Sequence, residues 1–179
     1  MDIEDRLKTY QAFAETSRKW TTVMDAKAAF VSALNGAVLA LIWSGAKLPD
    51  DGGLVRFFAV SSSALSIVSL VAAILVVLPR ITLQAIFGNN STHRWSHRAI
   101  SFYGYVADNY KSGNFHYFKA EVDGMDDNAF AMEALEQHFT ISHVAQTKNR
   151  WVLRAGLLLV LAVAMAGVAV VLREYHLGS

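Results

Sequence analysis

Cysteine is absent from this chain of 179 residues, proline occurs only at Pro49 and Pro79, and charged side chains make up only 17% of it. Without thiols there is neither a disulfide framework nor a thiolate metal site. Sixteen basic against fifteen acidic groups leave a formal charge of +1, which excludes a strongly basic nucleic-acid binder. No Gly-rich phosphate loop, no G-x-S-x-G and no placed pair of carboxylates is present, so nothing marks an enzyme or calls for a cofactor. What is abundant is apolar: 54% of the residues are hydrophobic, which excludes disorder as the main state, and the length allows one domain or a small membrane protein.

The apolar residues are concentrated. Ala28 to Ala46 is free of charge for nineteen residues, Phe57 to Pro79 for twenty-three and Ala155 to Leu172 for eighteen. As helices these reach about 27 to 35 Å, the thickness of a hydrocarbon core. A buried helix of a soluble protein usually keeps a polar side over such a length, and Leu157 to Leu172 has none. The first stretch, ending in Ser44-Gly45-Ala46, has a small-residue cleavage pattern. Five acidic groups precede it and a second span follows closely, which argues against a signal peptide.

Thirteen of the sixteen basic residues lie before the first span or between the second and third. The positive-inside rule then places those segments in the cytoplasm. The expected fold is an all-α integral membrane protein with three transmembrane helices and a small cytoplasmic helical bundle. Residues 1–27 form a cytoplasmic amphipathic helix, with Ile3, Leu7, Tyr10, Phe13, Trp20 and Met24 at helical spacing. Residues 28–46, 57–79 and 155–172 cross the membrane, 47–56 form a periplasmic loop, 80–154 a cytoplasmic sensor segment and 173–179 a periplasmic tail. Nothing breaks the helix between residues 1–27 and the first span. A helix from about Met125, with Asp126 and Asp127 at its dipole-favoured start, is expected to run into the third. Gly88 to Thr92 and Ser112 to Asn114 read as turns, with a helix from Trp95 to Lys111 between them. The bundle has too little apolar content to stand alone and needs the anchored helices or a second subunit.

Small residues mark the spans. Ser32, Gly36 and Ala40 share one face of the first, Ser62, Ser66, Ser69 and Ala73 one face of the second, and Ala155, Ala162, Ala166 and Ala169 lie near one face of the third. Such stripes let helices approach closely, and Asn35, the most polar residue in any span, is expected to face a partner helix. Helix packing is the plain reading; an oligomeric contact or a pore lining is the functional one. No ionisable group sits at mid-depth, which argues against a proton relay, a charged filter or a coupled transporter.

In the sensor segment, His93, Arg94, Trp95, His97, Arg98, Phe102, Tyr103 and Tyr105 interleave cations with rings, and Lys148, Arg150 and Arg154 return positive charge near the membrane. Composition favours anchoring to anionic headgroups. The sharper alternative is an anion pocket in which cations hold a phosphate and a ring stacks a base. His93 and His97 stand four apart, as metal ligands do, but no acidic partner lies near in sequence; a solvated helix face is preferred and no metal is expected.

The order of short motifs carries a resemblance. Asp25-Ala26-Lys27-Ala28-Ala29-Phe30 leads to Asn35-Gly36, and the second span ends in Leu78-Pro79-Arg80. Phe102-Tyr103-Gly104 and Tyr110 follow, and Lys148, Trp151, Leu153 and Arg154 lead into the last span. Over roughly residues 15 to 172 the chain resembles PycTM, the transmembrane effector family of the Pycsar antiphage system. Where the family usually shows Phe-Phe-Gly, this chain has Phe102-Tyr103-Gly104, which keeps the aromatic character. The resemblance implies a bacterial inner-membrane effector. It would sense a cyclic pyrimidine mononucleotide (cCMP or cUMP) made by a companion cyclase and impair the membrane, killing the infected cell. Its partners would be the bilayer, further copies of itself and, through the diffusible product, the cyclase. From the chemistry of the ligand, one negative charge and one aromatic base, the expected contacts are Arg94, Arg98, Tyr103, Lys148 and Arg150. An effector of another cyclic nucleotide and a structural adaptor docking a partner protein are the alternatives.

Overall fold

The computed structural model describes residues 2–78, 106 and 109–177. Of these, 90% are helical and none lies in a strand. The helices are α1 (Ile3–Ala40), which continues into a π-helical turn (Leu41–Gly45), α2 (Gly53–Val77), α3 (Phe115–Asp123) and α4 (Asp127–Leu177). A 3-10 turn (Leu48–Asp50) separates α1 from α2. α1 with its π turn, α2 and α4 are each long and apolar enough to cross a membrane, and the protein is an all-α membrane protein.

Each end has a local cause. Asp126 Oδ1 accepts the Ala129 N–H at 2.7 Å and so caps α4, with Asp127 in the first turn facing the positive end of the dipole. α2 stops at Leu78, whose ψ of 129° is extended because the following residue, Pro79, disfavours helical backbone before it. α1 widens at its end: the Ala46 N–H reaches back five residues to the Leu41 carbonyl at 2.7 Å. Lys47 then turns left-handed (φ 48°), Pro49 sits in the 3-10 turn, and Gly53 starts α2 at φ 65°, where a side chain would be strained. The chain thus reverses direction over residues 46–52. α1 passes the expected boundary at residue 27 as one helix, and α4 does the same at residue 154.

The chain divides into two compact units, Met1–Thr21 with Phe87–Ala145 and Thr22–Ile86 with Gln146–Ser179. In the first, the buried residues of α1 and α4 are small apart from Glu133: Ala14 and Ser17 on α1, Ala131 and Ala134 on α4. Its contacts are largely polar. Ser17 Oγ lies 2.7 Å from His138 Nδ1 and 3.2 Å from Ser142 Oγ, and the Arg18 guanidinium donates to Gln137 Oε1 at 2.6 Å. The expected turn at Ser112 to Asn114 is present, closed by the Asn114 N–H on the Lys111 carbonyl at 2.8 Å. It leads into α3, where Phe118 packs edge-on against Tyr110 with ring centres 5.3 Å apart. The turn at Gly88 to Thr92, and the helix from Trp95 up to Tyr105, lie outside the described residues.

The second unit is three helices packed through small residues. On α2 the seam runs through Val55, Ala59, Ser62, Ser66, Ser69, Ala73 and Val76, with Ser63 and Ala72 buried beside it; on α4 it runs through Val152, Ala155, Leu159, Ala162, Ala166 and Ala169. Both sets alternate steps of three and four, a period near 3.5 that keeps one seam facing inward with left-handed wrapping. α2 runs against α4, because Ser62 bonds to Ala162 while Ser69, seven residues later, bonds to Ala155. Large side chains such as Phe57, Val68, Val71, Leu157 and Val171 point outward, as the lipid-facing surface of a membrane bundle requires.

Candidate functional site

The polar groups of the second unit converge on one seam. Asn35 is fully buried. Its amide Nδ2 donates to the Val31 carbonyl at 2.9 Å and to Ser69 Oγ at 2.8 Å. Ser69 Oγ donates in turn to the Ala155 carbonyl at 2.7 Å. One relay therefore ties α1, α2 and α4 at a single level. Two turns along α2, Ser62 Oγ donates to the Ala162 carbonyl at 2.6 Å. Between them Ser66 is fully buried, and neither its hydroxyl nor Asn35 Oδ1 has a hydrogen-bond partner among the described residues. Interhelical bonds of this kind contribute only about 0.6 kcal/mol each on average. Each unpartnered buried polar atom costs about 1–3 kcal/mol. The seam is thus more polar than packing alone requires.

Apolar clusters close the seam at both ends. Met24, Ala28, Ala72, Ala73, Val76 and Val152 form one, and Ile42, Leu48, Val55, Ala59, Ala166 and Ala169 the other. Beyond each cluster stands an ion pair. Lys148 Nζ donates to Asp25 Oδ1 at 2.6 Å beside the first. At the other end, Arg173 Nη1 donates to the Ala46 carbonyl at 2.6 Å, answering an acceptor that the widened helix end leaves open. Its Nε stands 3.0 Å from Asp51 Oδ2, too bent for a hydrogen bond but in ionic contact. Trp43 in the π turn donates its Nε1–H to Ser63 Oγ at 3.0 Å.

The residues singled out in the sequence fall in different places. Asn35, Ser62, Ser66, Ser69, Ala162 and Ala166 are all buried in the three-helix unit. Ser32 is half-buried and donates to the Ala28 carbonyl within its own helix at 2.9 Å. Gly36 and Ala40 are exposed, and a Cβ built on Gly36 would meet nothing within 4 Å. The physical reason is Asn35. Its amide must be turned to a partner, which puts Ala28, Asn35 and Ile42 inward and leaves Gly36, about 100° further round, outside. Of the expected nucleotide contacts, Lys148 is held by Asp25 and Arg150 is exposed. Arg94, Arg98 and Tyr103, with His93 and His97, lie outside the described residues. A groove of about 670 Å³ between α1 and α4, lined by Val23, Phe30, Val31, Leu153, Leu157 and Val160 with Lys27 at its edge, is too apolar to hold a nucleotide.

Asp25, Lys148, Ala46 and Arg173 were not singled out as partners by sequence reasoning. A signal exists only for Arg173, the one basic residue on the far side of the last apolar run, with acidic residues in the loop between the first two spans. No curated protein and no solved structure matches the chain. Residues 9–173 match the family PycTM, described as the Pycsar effector protein domain. With that match over nearly its whole length and three helices built to cross a membrane, the chain belongs to the PycTM family of Pycsar antiphage effectors.

Proposed function

We propose that this effector senses a cyclic pyrimidine mononucleotide, cCMP or cUMP, released by a companion cyclase, and responds by impairing the bacterial inner membrane, so that the infected cell dies before phage spread. The family match over residues 9–173 carries this reading. It acts without catalysis of its own. The N-terminus and residues 80–154 face the cytoplasm, where the messenger is made, because the basic residues cluster there. The ligand carries one phosphate charge and one ring, and the proposed contacts are Arg94, Arg98, Tyr103, Lys148 and Arg150. For Lys148 to take part, the nucleotide phosphate must displace Asp25 from it. Binding shifts the protein toward its active arrangement only by the difference in affinity between the two arrangements. The working form is an assembly of several copies in the bilayer.

Calorimetry on the purified full chain in detergent tests the sensing step. Heat with cCMP or cUMP, weakened by Arg98→Ala, supports it; no heat with either overturns it. A panel including cyclic oligonucleotides separates this reading from an effector of another signal. Dye release from vesicles carrying the protein tests the output, and release that is equal with and without nucleotide overturns it.

A further inference from the structure

We propose that the seam of Asn35, Ser62, Ser66 and Ser69 is the water path of this protein. It holds water in the packed arrangement and lines the route for water and small monovalent cations once the three spans repack. The proposal rests on the reading that the effector permeabilises the membrane, and adds where.

Three observations combine. First, these four side chains are fully buried, on helices whose remaining inward positions are mostly Ala and Val. An all-apolar seam would hold the helices equally closely without the desolvation of four polar groups. Second, two polar atoms in the seam, Asn35 Oδ1 and Ser66 Oγ, have no hydrogen-bond partner among the described residues. Ser66 lies one turn from Ser69, which takes the amide of the same Asn35, so both orphan groups belong to the same stretch of the seam. An acceptor and a hydroxyl left without partners in one seam suit a bound water, which needs two to four polar partners. Third, the polar stretch is bracketed. From Ser62 to Ser69 it runs about 10 Å along α2, and the apolar clusters around Val76 and Val152 at one end and around Ile42 and Val55 at the other close it. A hydrated centre between two dry constrictions does not conduct while packed and conducts when the constrictions widen and wet. The lining offers neutral oxygens and no charge, which accommodates water and monovalent cations with weak selectivity.

The absence of cysteine makes the test clean, because a single Ser66→Cys thiol is then the only one in the chain. The near-isosteric variant and a Val68→Cys control on the lipid-facing side of α2 are reconstituted in phosphatidylethanolamine–phosphatidylglycerol vesicles and treated with silver ion, which travels through water-filled spaces. With nucleotide, the Ser66→Cys thiol is expected to react about tenfold faster than the Val68→Cys thiol, and the difference should vanish without it because the apolar clusters then keep silver out. With nucleotide, Asn35→Leu combined with Ser66→Ala is expected to lose most of the potassium release of the unaltered protein. Equal silver rates at the two positions with nucleotide overturn the hydrated seam, and undiminished release from the double variant overturns the path. Unaltered protein that stays tight with either nucleotide overturns the permeation reading itself, whereas potassium release accompanied by equal silver rates at the two positions overturns the seam alone.

Discussion

Lys148 Nζ meets Asp25 Oδ1 at 2.6 Å, joining the first and third apolar helices just beyond one end of their apolar contact. Lys148 is only 19% exposed, yet its partner is twice as open, so the pair is neither a buried charge couple nor a loose surface one. It fastens α1 to α4 beside the buried cluster of Met24, Ala28 and Val152.

Breaking that pair is expected to have a modest effect. Asp25→Asn and Lys148→Gln should each destabilise the protein by about 0.5–1 kcal/mol, and the double variant should cost no more than the larger single one. Unfolding in detergent at low and high salt measures this, with the effect shrinking at high salt. If the proposed sensing is right, Asp25→Asn should also tighten nucleotide binding, since the phosphate no longer competes with a carboxylate.

Ala162 and Ala155 are fully buried where α2 and α4 cross, and Ser62 and Ser69 bond to their carbonyls. Replacing Ala162 with Leu forces the two backbones apart. A loss of about 1–3 kcal/mol is expected, against a near-neutral Leu161→Ala one residue away on the outward face. Thermal unfolding of the two variants in the same detergent makes the comparison.

Arg173→Ala should release the reversal at residues 46–52. It removes a charge-assisted bond to Ala46 and the ionic contact with Asp51, for a loss of about 1–3 kcal/mol. Arg173→Lys should recover only part of this, because one ammonium does not serve two partners as the guanidinium fork does. Hydrogen exchange at the Leu48–Asp50 turn should speed up in both variants, more in Ala.

The Ser17 hydroxyl stands between His138 and Ser142, and Ser17→Ala should leave His138 Nδ1 with the Phe13 carbonyl at 3.1 Å as its remaining hydrogen-bond partner among the described residues. A cost of about 1 kcal/mol is expected. Capping at Asp126 is separate: Asp126→Ala should cost about 1 kcal/mol and raise exchange at Ala129 without touching the Ser17 contact.

Membrane sidedness is tested with single cysteines in the cysteine-free chain. Lys119→Cys and Asp50→Cys should be labelled by an impermeant thiol reagent from opposite sides, the first only after the inner face is opened. Labelling of both from the same side overturns the orientation.

The three spans were legible because length and the absence of charge are one-dimensional properties: a run such as Ala155 to Leu172 has no stable place except in lipid or a core. The end of α2 was legible too, through the backbone restriction that Pro79 puts on Leu78. The inward face of α1 was harder. Ser32, Gly36 and Ala40 form as good a small-residue stripe as any, and only the demand of Asn35 for Ser69 decides which side turns in. The nucleotide contacts read from Arg94, Arg98 and Tyr103 rest on residue chemistry alone.

By itself, then, the sequence determined that the chain is helical, crosses a membrane three times and belongs among the Pycsar effectors, since hydropathy and motif order act along the chain. Only the tertiary structure decided that Lys148 holds Asp25, that Arg173 closes the turn at Ala46, and that Asn35 Oδ1 and Ser66 Oγ lie in one seam without partners among the described residues. Those pairings join residues up to 127 positions apart. They depend on how each helix is rotated about its axis, which local sequence preferences leave open and close packing settles.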